Sequence, residues 1–467
     1  MTASILGTMS LASSFWFAPI YDTEPELPAQ KCDSARKNGI NYDTAIPSPP
    51  PPPKLLPLPT VSDVRSPDKL PSIFGKEGKR VVVRDFLPEE LPLQPFEGAP
   101  EDIALIGDAL RDAQRNERLR LTFFGASHTG GEYWTGHIRR VLQTRYGDGG
   151  HGFIMPAALY ESNRASDINR CSSSWDISYV GRTNGLNDNY YGLGFAARSD
   201  DPNDFAWIET THKNPHGRYV SSYDILTLGT PDGGGLLAQI DRKQPVIIPT
   251  FSPSPALNHV RIEVPEGPHR LSIQPAGDGE IRLFGVSAER AGPGVVVDAI
   301  GIRGREARTW LQWNEAVFQD SLKVLFPDIV VLAYGTNEAN ALNYDMDSYA
   351  KDLRKVLGKL REASPKSGCI LVGPSDRAKK ISKGYRVWDR TALVAEVQRQ
   401  VAPEFQCVFW DWQQATGGEG SMVAWNKSQP QLGKDDLIHF TPKGYVHSAE
   451  LFIAALDDAM SNYGTEN

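Results

Sequence analysis

The chain has 467 residues, a net charge of −8 and a hydrophobic fraction of 40%. That length exceeds one ordinary domain and supports two or three, with at least one large core. The acidic balance, without a concentrated basic stretch, argues against a nucleic-acid binder, which must neutralise phosphates. Four cysteines, at 32, 171, 369 and 407, are too widely spaced for a zinc knuckle and too few for a disulfide scaffold. Cys369 and Cys407 each open an apolar run and read as buried free thiols.

Residues 1–30 contain no Lys or Arg, and Ser4 to Ile20 is mostly small, apolar or aromatic. The segment is a candidate signal or membrane anchor that lacks the basic start of a secretory signal and is short and polar for a spanning helix. Residues 31–96 form a polar, proline-dense linker, stiffest around Pro49 to Pro53. Such a tract favours extended polyproline geometry and builds no core. It is either a disordered tail or a spacer holding a catalytic domain away from a membrane or wall.

From residue 97 the pattern becomes α/β. A helix with Ile103, Ile106, Leu110 and Ala113 on one face precedes a short apolar strand, Leu119 to Phe124. The strand ends at the small-residue corner Gly125-Ala126-Ser127. A helix follows, with Tyr133, His137, Ile138, Val141 and Leu142 at its apolar positions. This first part runs over 97–159.

Across 160–291 long helical periodicity disappears. Runs such as Asp224 to Leu228, Pro245 to Ile248, His259 to Val264, Arg270 to Ile273 and Glu280 to Phe284 are broken every few residues by Gly, Pro, Asn and Asp. This reads as an all-β sandwich inserted into the α/β domain. An insertion that long is tolerated because loop-closure entropy grows only logarithmically with length.

Over 292–467 alternation resumes. The strand Asp328 to Tyr334 precedes a helix carrying Tyr349, Leu353, Val356 and Leu360. Strands at Cys369 to Val372 and Cys407 to Asp411 flank a helix near Leu393 to Val401, and a last helix holds Leu451, Phe452, Ala455 and Leu456. Alternating strand and helix imply a parallel sheet covered on both faces.

Three segments could carry chemistry. Ser127 sits where a strand turns into a helix, so its hydroxyl meets backbone N–H groups and the positive helix end; helix capping explains it equally well when taken alone. Asn337, in Tyr334-Gly335-Thr336-Asn337-Glu338, also follows an apolar strand. In open α/β sheets the ligand crevice lies beyond the carboxyl ends of the strands, so the two could converge. Asp436 and His439, in the run Asp436 to Tyr445, supply a base and a partner that fixes its tautomer from one loop. His212 and His216 form an HxxxH pair without an accompanying carboxylate motif, so no metal site is expected there.

Together these segments resemble the SGNH, or GDSL, hydrolases. The first block of that family supplies a serine, matching Ser127. The second supplies a glycine, matched by Gly304 in Asp298 to Gly304, with Gly301 a competing match. The third, Gly-x-Asn, matches Gly335 to Asn337, and the last, Asp-x-x-His, matches Asp436 and His439. Ala126 departs from the family, which usually has Asp before the serine. The runs Arg139 to Phe153 and Val297 to Gly304, with a β insert between the first two blocks, look like bacterial peptidoglycan O-acetyl esterases, whose insert resembles a carbohydrate-binding module.

The resemblance implies a flavodoxin-like SGNH domain interrupted by the β-sandwich. It also implies acyl transfer from an ester on a carbohydrate polymer, most of all peptidoglycan. Ser127 would be the nucleophile and His439 the base, oriented by Asp436. The backbone N–H groups of Ser127 and Gly304 and the Asn337 amide would form the oxyanion hole. No cofactor or metal is expected, and the place of action would be the cell envelope, periplasmic or extracellular. Two alternatives stay open: an O-acetyltransferase using the same triad, and a non-catalytic glycan binder whose insert aromatics, Trp175 and Trp207 among them, stack on sugars.

Overall fold

The computed structural model describes residues 91–157, 165–181, 186, 188–212 and 214–463. The candidate signal or anchor and nearly all of the proline-dense linker lie outside these residues. Helix α1 (Pro100–Gln114) has Pro100 at its first position and buries Ile103, Ile106 and Leu110, the face expected from their spacing. Strand β1 (Arg118–Gly125) is buried along almost its whole length. It leads to α2 (Ser127–Gly130), α3 (Tyr133–Tyr146) and β2 (Gly150–Ile154).

The next strands are β3 (Ile168–Ser172), β4 (Asp176–Tyr179), β5 (Phe195–Ser199), β6 (Ala206–Thr210), β7 (Val220–Gly229), β8 (Gly235–Ile240), β9 (Val246–Pro249), β10 (Ala256–Gly267), β11 (Arg270–Pro275) and β12 (Ile281–Glu289). The chain then continues through β13 (Gly294–Gly301), α4 (Glu315–Leu325), β14 (Ile329–Ala333), α5 (Thr336–Asn340) and α6 (Met346–Ala363). After these come β15 (Gly368–Val372), the hairpin β16 (Ala378–Ile381) and β17 (Gly384–Val387), α7 (Arg390–Val401) and β18 (Val408–Trp410). The last elements are α8 (Trp412–Ala415), α9 (Ser421–Lys427) and α10 (Pro442–Asn462).

Strands β13-β1-β14-β15-β18 form one parallel sheet in that order. Counted along the chain this is order 2-1-3-4-5, the flavodoxin-like winding, whose switch point lies between its first and third strands, here β1 and β14. Alternation along β1 divides its side chains between two cores. Leu119, Leu121 and Phe123 pack with α1 and α10, whereas Phe124 lies in the cluster that runs on into the antiparallel strands. Burying each such Leu or Phe contributes roughly 1.5–3 kcal/mol.

Strands β2 to β12 build two antiparallel sheets. One has the order β10-β7-β12-β5-β4, with β2 added to β12; the other has the order β3-β6-β11-β8-β9. The antiparallel pairing therefore starts at Gly150, ahead of the expected start at residue 160, because β2 pairs with β12. A buried ionic cluster fixes this junction. The Arg120 guanidinium donates to Asp298 at 2.8 and 2.9 Å and to Glu289 at 2.6 Å. Burial alone would raise the Glu289 carboxyl, but Arg120 and Arg118 outweigh it and hold Glu289 down at about 2. The cluster joins β1, β12 and β13.

The cysteines correct the expectation of free thiols. Cys369 and Cys407 form a disulfide, with Cα atoms 4.5 Å apart, and Cys171 is also disulfide-bonded. Cys369 lies in β15 and Cys407 immediately precedes the adjacent β18, so neighbouring parallel strands bring the two together. Among the described residues no helix is long and apolar enough to cross a membrane.

Candidate active site

The parallel register sets the site. Gly125 of β1 lies level with Gly301 of β13 and with Ala333 of β14. The segments that leave these strands therefore emerge side by side at the switch point, where such sheets bind ligands. Ser127 lies just beyond β1, Gly304 just beyond β13 and Asn337 just beyond β14. Gly301 is the packing residue here: a Cβ on it would come within 2.1 Å of the Gly130 nitrogen. Gly304 is exposed, with φ +71° and open space around it.

The helix that follows Ser127 differs from expectation. α2 has only four residues, and the long helix α3 starts at Tyr133. Little macrodipole therefore stands behind Ser127, since aligned peptide dipoles sum along a helix. The corner is held instead by local bonds: Gly130 N–H donates to the Ala126 carbonyl at 2.9 Å. Ala126 itself is buried, with φ −107° and ψ −133°.

The Asp436–His439 loop delivers both remaining groups. Leu437 takes a left-handed φ of +56°, which folds the loop back on itself. Asp436 Oδ1 then accepts the backbone N–H groups of Ile438 and His439, both at 2.9 Å. Its Oδ2 lies 2.8 Å from His439 Nδ1, and His439 Nε2 lies 2.8 Å from Ser127 Oγ. With the carboxylate accepting at Nδ1, network logic assigns the proton there and leaves the Nε2 lone pair toward the serine. Partial burial opposes ionisation of Asp436, but the His439 ring and the two backbone N–H groups outweigh it and hold the carboxyl well below the usual range.

Asn337 and its neighbour tie two loops together. The Asn337 amide donates to the Arg305 carbonyl at 2.9 Å, which leaves its second amide proton for another acceptor. Glu338 is fully buried; its Oε1 accepts Ala307 N–H at 2.8 Å and its Oε2 accepts Gly335 N–H at 2.9 Å. Burial pushes its carboxyl up to about 7 even though both bonds favour the anion. His128, also buried, shares a 2.8 Å hydrogen bond with the Tyr445 hydroxyl, and its ring centroid lies 5.0 Å from that of His439. Burial holds this imidazole well below its ordinary value, so it stays neutral.

Sequence reasoning gave no role to His128, Glu338 or Tyr445, although each lies inside a motif run. The only signal was adjacency to Ser127, Asn337 and His439, because burial at these positions is a tertiary property. The structure thus brings Ser127, His439 and Asp436 into one hydrogen-bonded line. His216 instead lies 2.9 Å from the Thr144 hydroxyl, and no group of three metal-ligating side chains occurs among the described residues.

Residues 276–446 match the model of the GDSL-like lipase/acylhydrolase family. Among solved structures, one reported as a peptidoglycan O-acetylesterase in action aligns at a TM-score of 0.65 and 23% identity, covering 78% of this chain and 97% of that one. A family two carbohydrate esterase from Clostridium thermocellum with cellohexaose aligns at 0.26 and 12%, covering 61% and 98%. One from Cellvibrio japonicus aligns at 0.25 and 12%, covering 63% and 98%. No curated protein sequence matches the chain.

Residues 276–446 therefore carry the GDSL-like acylhydrolase pattern, and the parallel sheet has the flavodoxin-like order that the sequence led us to expect. The class of enzyme is a hydrolase of ester bonds, and the overall fold is shared with the peptidoglycan O-acetylesterase structure.

Proposed function

We propose that this protein is a serine esterase that removes O-acetyl or other short acyl groups from a carbohydrate polymer, most of all peptidoglycan. The observation that carries the reading is the unbroken line Ser127 Oγ, His439 Nε2, His439 Nδ1, Asp436 Oδ2, with 2.8 Å at each hydrogen bond. His439 takes the Ser127 proton as Oγ attacks the ester carbonyl, and Asp436 stabilises the imidazolium. The alcohol leaves with that proton, and water then attacks the acyl-enzyme with His439 again as base. The oxyanion accepts from the N–H groups of Ser127 and Gly304 and from the free amide proton of Asn337. No step calls for a cofactor.

The polymer reading draws on the fold shared with a peptidoglycan O-acetylesterase and on the two antiparallel sheets, one of which meets the Gly304 loop where Tyr179 of β4 faces Arg305. We assign these sheets as an inserted β-sandwich resembling a carbohydrate-binding module, between hydrolase parts that begin near residues 97 and 292. The Cys369–Cys407 disulfide suits an oxidising compartment, in keeping with work in the cell envelope.

The test is acetate release from O-acetylated peptidoglycan beside O-acetylated xylan, with wild type and Ser127→Ala. Release from peptidoglycan by wild type alone supports the reading. Equal rates on both polymers would reduce it to a general carbohydrate esterase, and an active Ser127→Ala would overturn it.

A further inference from the structure

The loop from Ile302 to Asn314 carries Gly304, and it is gripped from two sides. On the hydrolase side, Asn337 donates to the Arg305 carbonyl at 2.9 Å and Ala307 N–H donates to Glu338 at 2.8 Å. On the other side four contacts come from the insert. The Arg305 guanidinium lies 5.4 Å from the Tyr179 ring centroid. Gly181 leaves room for it, because a Cβ there would fall 2.1 Å from Arg305 Nη1. Asn314 N–H donates to the Asn189 carbonyl at 2.8 Å. Gly194, at φ +122°, is so close that a Cβ would sit 2.8 Å from both the Trp313 ring and the Ile302 side chain.

Arg305 is the residue common to both sides: its side chain reaches the insert and its carbonyl holds the Asn337 amide. We propose that the insert is a positioning element of the oxyanion hole as well as a surface for substrate, acting on Asn337 and Gly304 through Arg305. The proposal rests on the esterase reading above. It makes Arg305 a positioning residue, since it reaches the reacting atoms only through Asn337.

Small displacements matter at such a site: a shift of about 1 Å in a catalytic group can cost on the order of 10²-fold in rate. Cation–π contact is modest at a half-exposed position, so losing Tyr179 loosens the loop without releasing it.

The experiment uses 4-nitrophenyl acetate, a small ester that needs no glycan contact, with Arg305→Ala, Arg305→Lys, Tyr179→Ala and Tyr179→Phe in the full chain. Arg305→Ala should lower kcat about tenfold or more, with KM within about twofold, because the defect is in transition-state stabilisation. Tyr179→Ala should lower it severalfold, and Tyr179→Phe and Arg305→Lys, which keep the ring and the cation, should restore most of the rate. Affinity for a phenylboronic acid, which forms a tetrahedral anionic adduct, should fall in parallel with kcat. The proposal is overturned if kcat on the small ester is unchanged in both alanine variants, even when activity on the polymer falls. It is equally overturned if boronate affinity per folded molecule stays at the wild-type value. Ser127→Ala is inactive in either case if the esterase reading holds, so an active Ser127→Ala would separate failure of that reading from failure of this one.

Discussion

Asp436→Asn is the substitution whose consequence the geometry defines most closely. The asparagine oxygen keeps the place of Oδ1, because that atom accepts two backbone N–H groups at 2.9 Å, from Ile438 and His439. The amide nitrogen must then occupy the position of Oδ2, 2.8 Å from His439 Nδ1. An amide there donates, so Nδ1 becomes the acceptor and the ring proton moves to Nε2, which then donates toward Ser127 instead of accepting from it. Restoring the productive tautomer sets donor against donor, at about 1–3 kcal/mol, and the imidazolium loses its carboxylate. The His439 and Asp436 side chains are 29% and 44% exposed, so solvent screening moderates the second effect. The sum is about 4 kcal/mol, or about 10³-fold in kcat. Steady-state hydrolysis of 4-nitrophenyl acetate, with thermal melts to verify folding, measures it. A kcat within tenfold of wild type in a folded variant would refute the tautomer argument.

Asn337→Ala removes an oxyanion donor and should lower kcat by about 10²- to 10³-fold on the same ester with the fold intact; an unchanged rate would remove Asn337 from the site. Glu338 has its folded value raised from 4.5 to about 7, so the fold disfavours the anion. Its contribution is fully present below the unfolded value and is lost as pH rises toward 7, to the extent of about 3 kcal/mol. Glu338→Gln abolishes that titration, so the stability gap between wild type and variant should narrow from pH 5 to pH 8 in denaturant melts; a constant gap would contradict it. Cys407→Ser opens the loop closed by Cys369 and Cys407, whose sequence separation is 38. The chain-entropy model gives a loss of about 4 kcal/mol, seen as a lower urea midpoint in the variant than in unreduced wild type; equal midpoints would count against it.

Much of the hydrolase scaffold was legible because it depends on local periodicity. The α1 face at Ile103, Ile106 and Leu110, the strand ending before Ser127, and the apolar strand before Asn337 all follow from spacing. The antiparallel strands were legible as runs, and β7 and β9 to β12 cover the runs picked out by their breakers. Strand order was not legible. The strand that pairs on the outer side of β1 is β13, separated from it in sequence by strands β2 to β12. The Cys369–Cys407 bond escaped for the same reason: both strands were recognised, but their adjacency is a property of the sheet.

At the candidate site the sequence carried the polar groups and lost their depth. Asp436 and His439 lie on one short loop, so spacing alone suggested their pairing. Glu338 carried no role in the sequence, yet it is completely buried, with the Ala307 and Gly335 backbones donating to it from the segments that follow β13 and β14. His128 gave no sign of lying beside the His439 ring, because that contact spans α2 and the loop before α10. The helix dipole expected behind Ser127 was overestimated, because the chain breaks after Gly130 before α3 begins.

The esterase proposed above carries its acyl group on Ser127 Oγ. Rapid-quench mass spectrometry of the intact protein, followed by peptide mapping during turnover of an acetyl ester, tests it directly. One acetyl group is expected on the peptide containing Ser127, formed before the second product appears and absent from Ser127→Ala. Turnover with no acetylated Ser127, or with the acetyl group on another residue that Ser127→Ala still acquires, would contradict it.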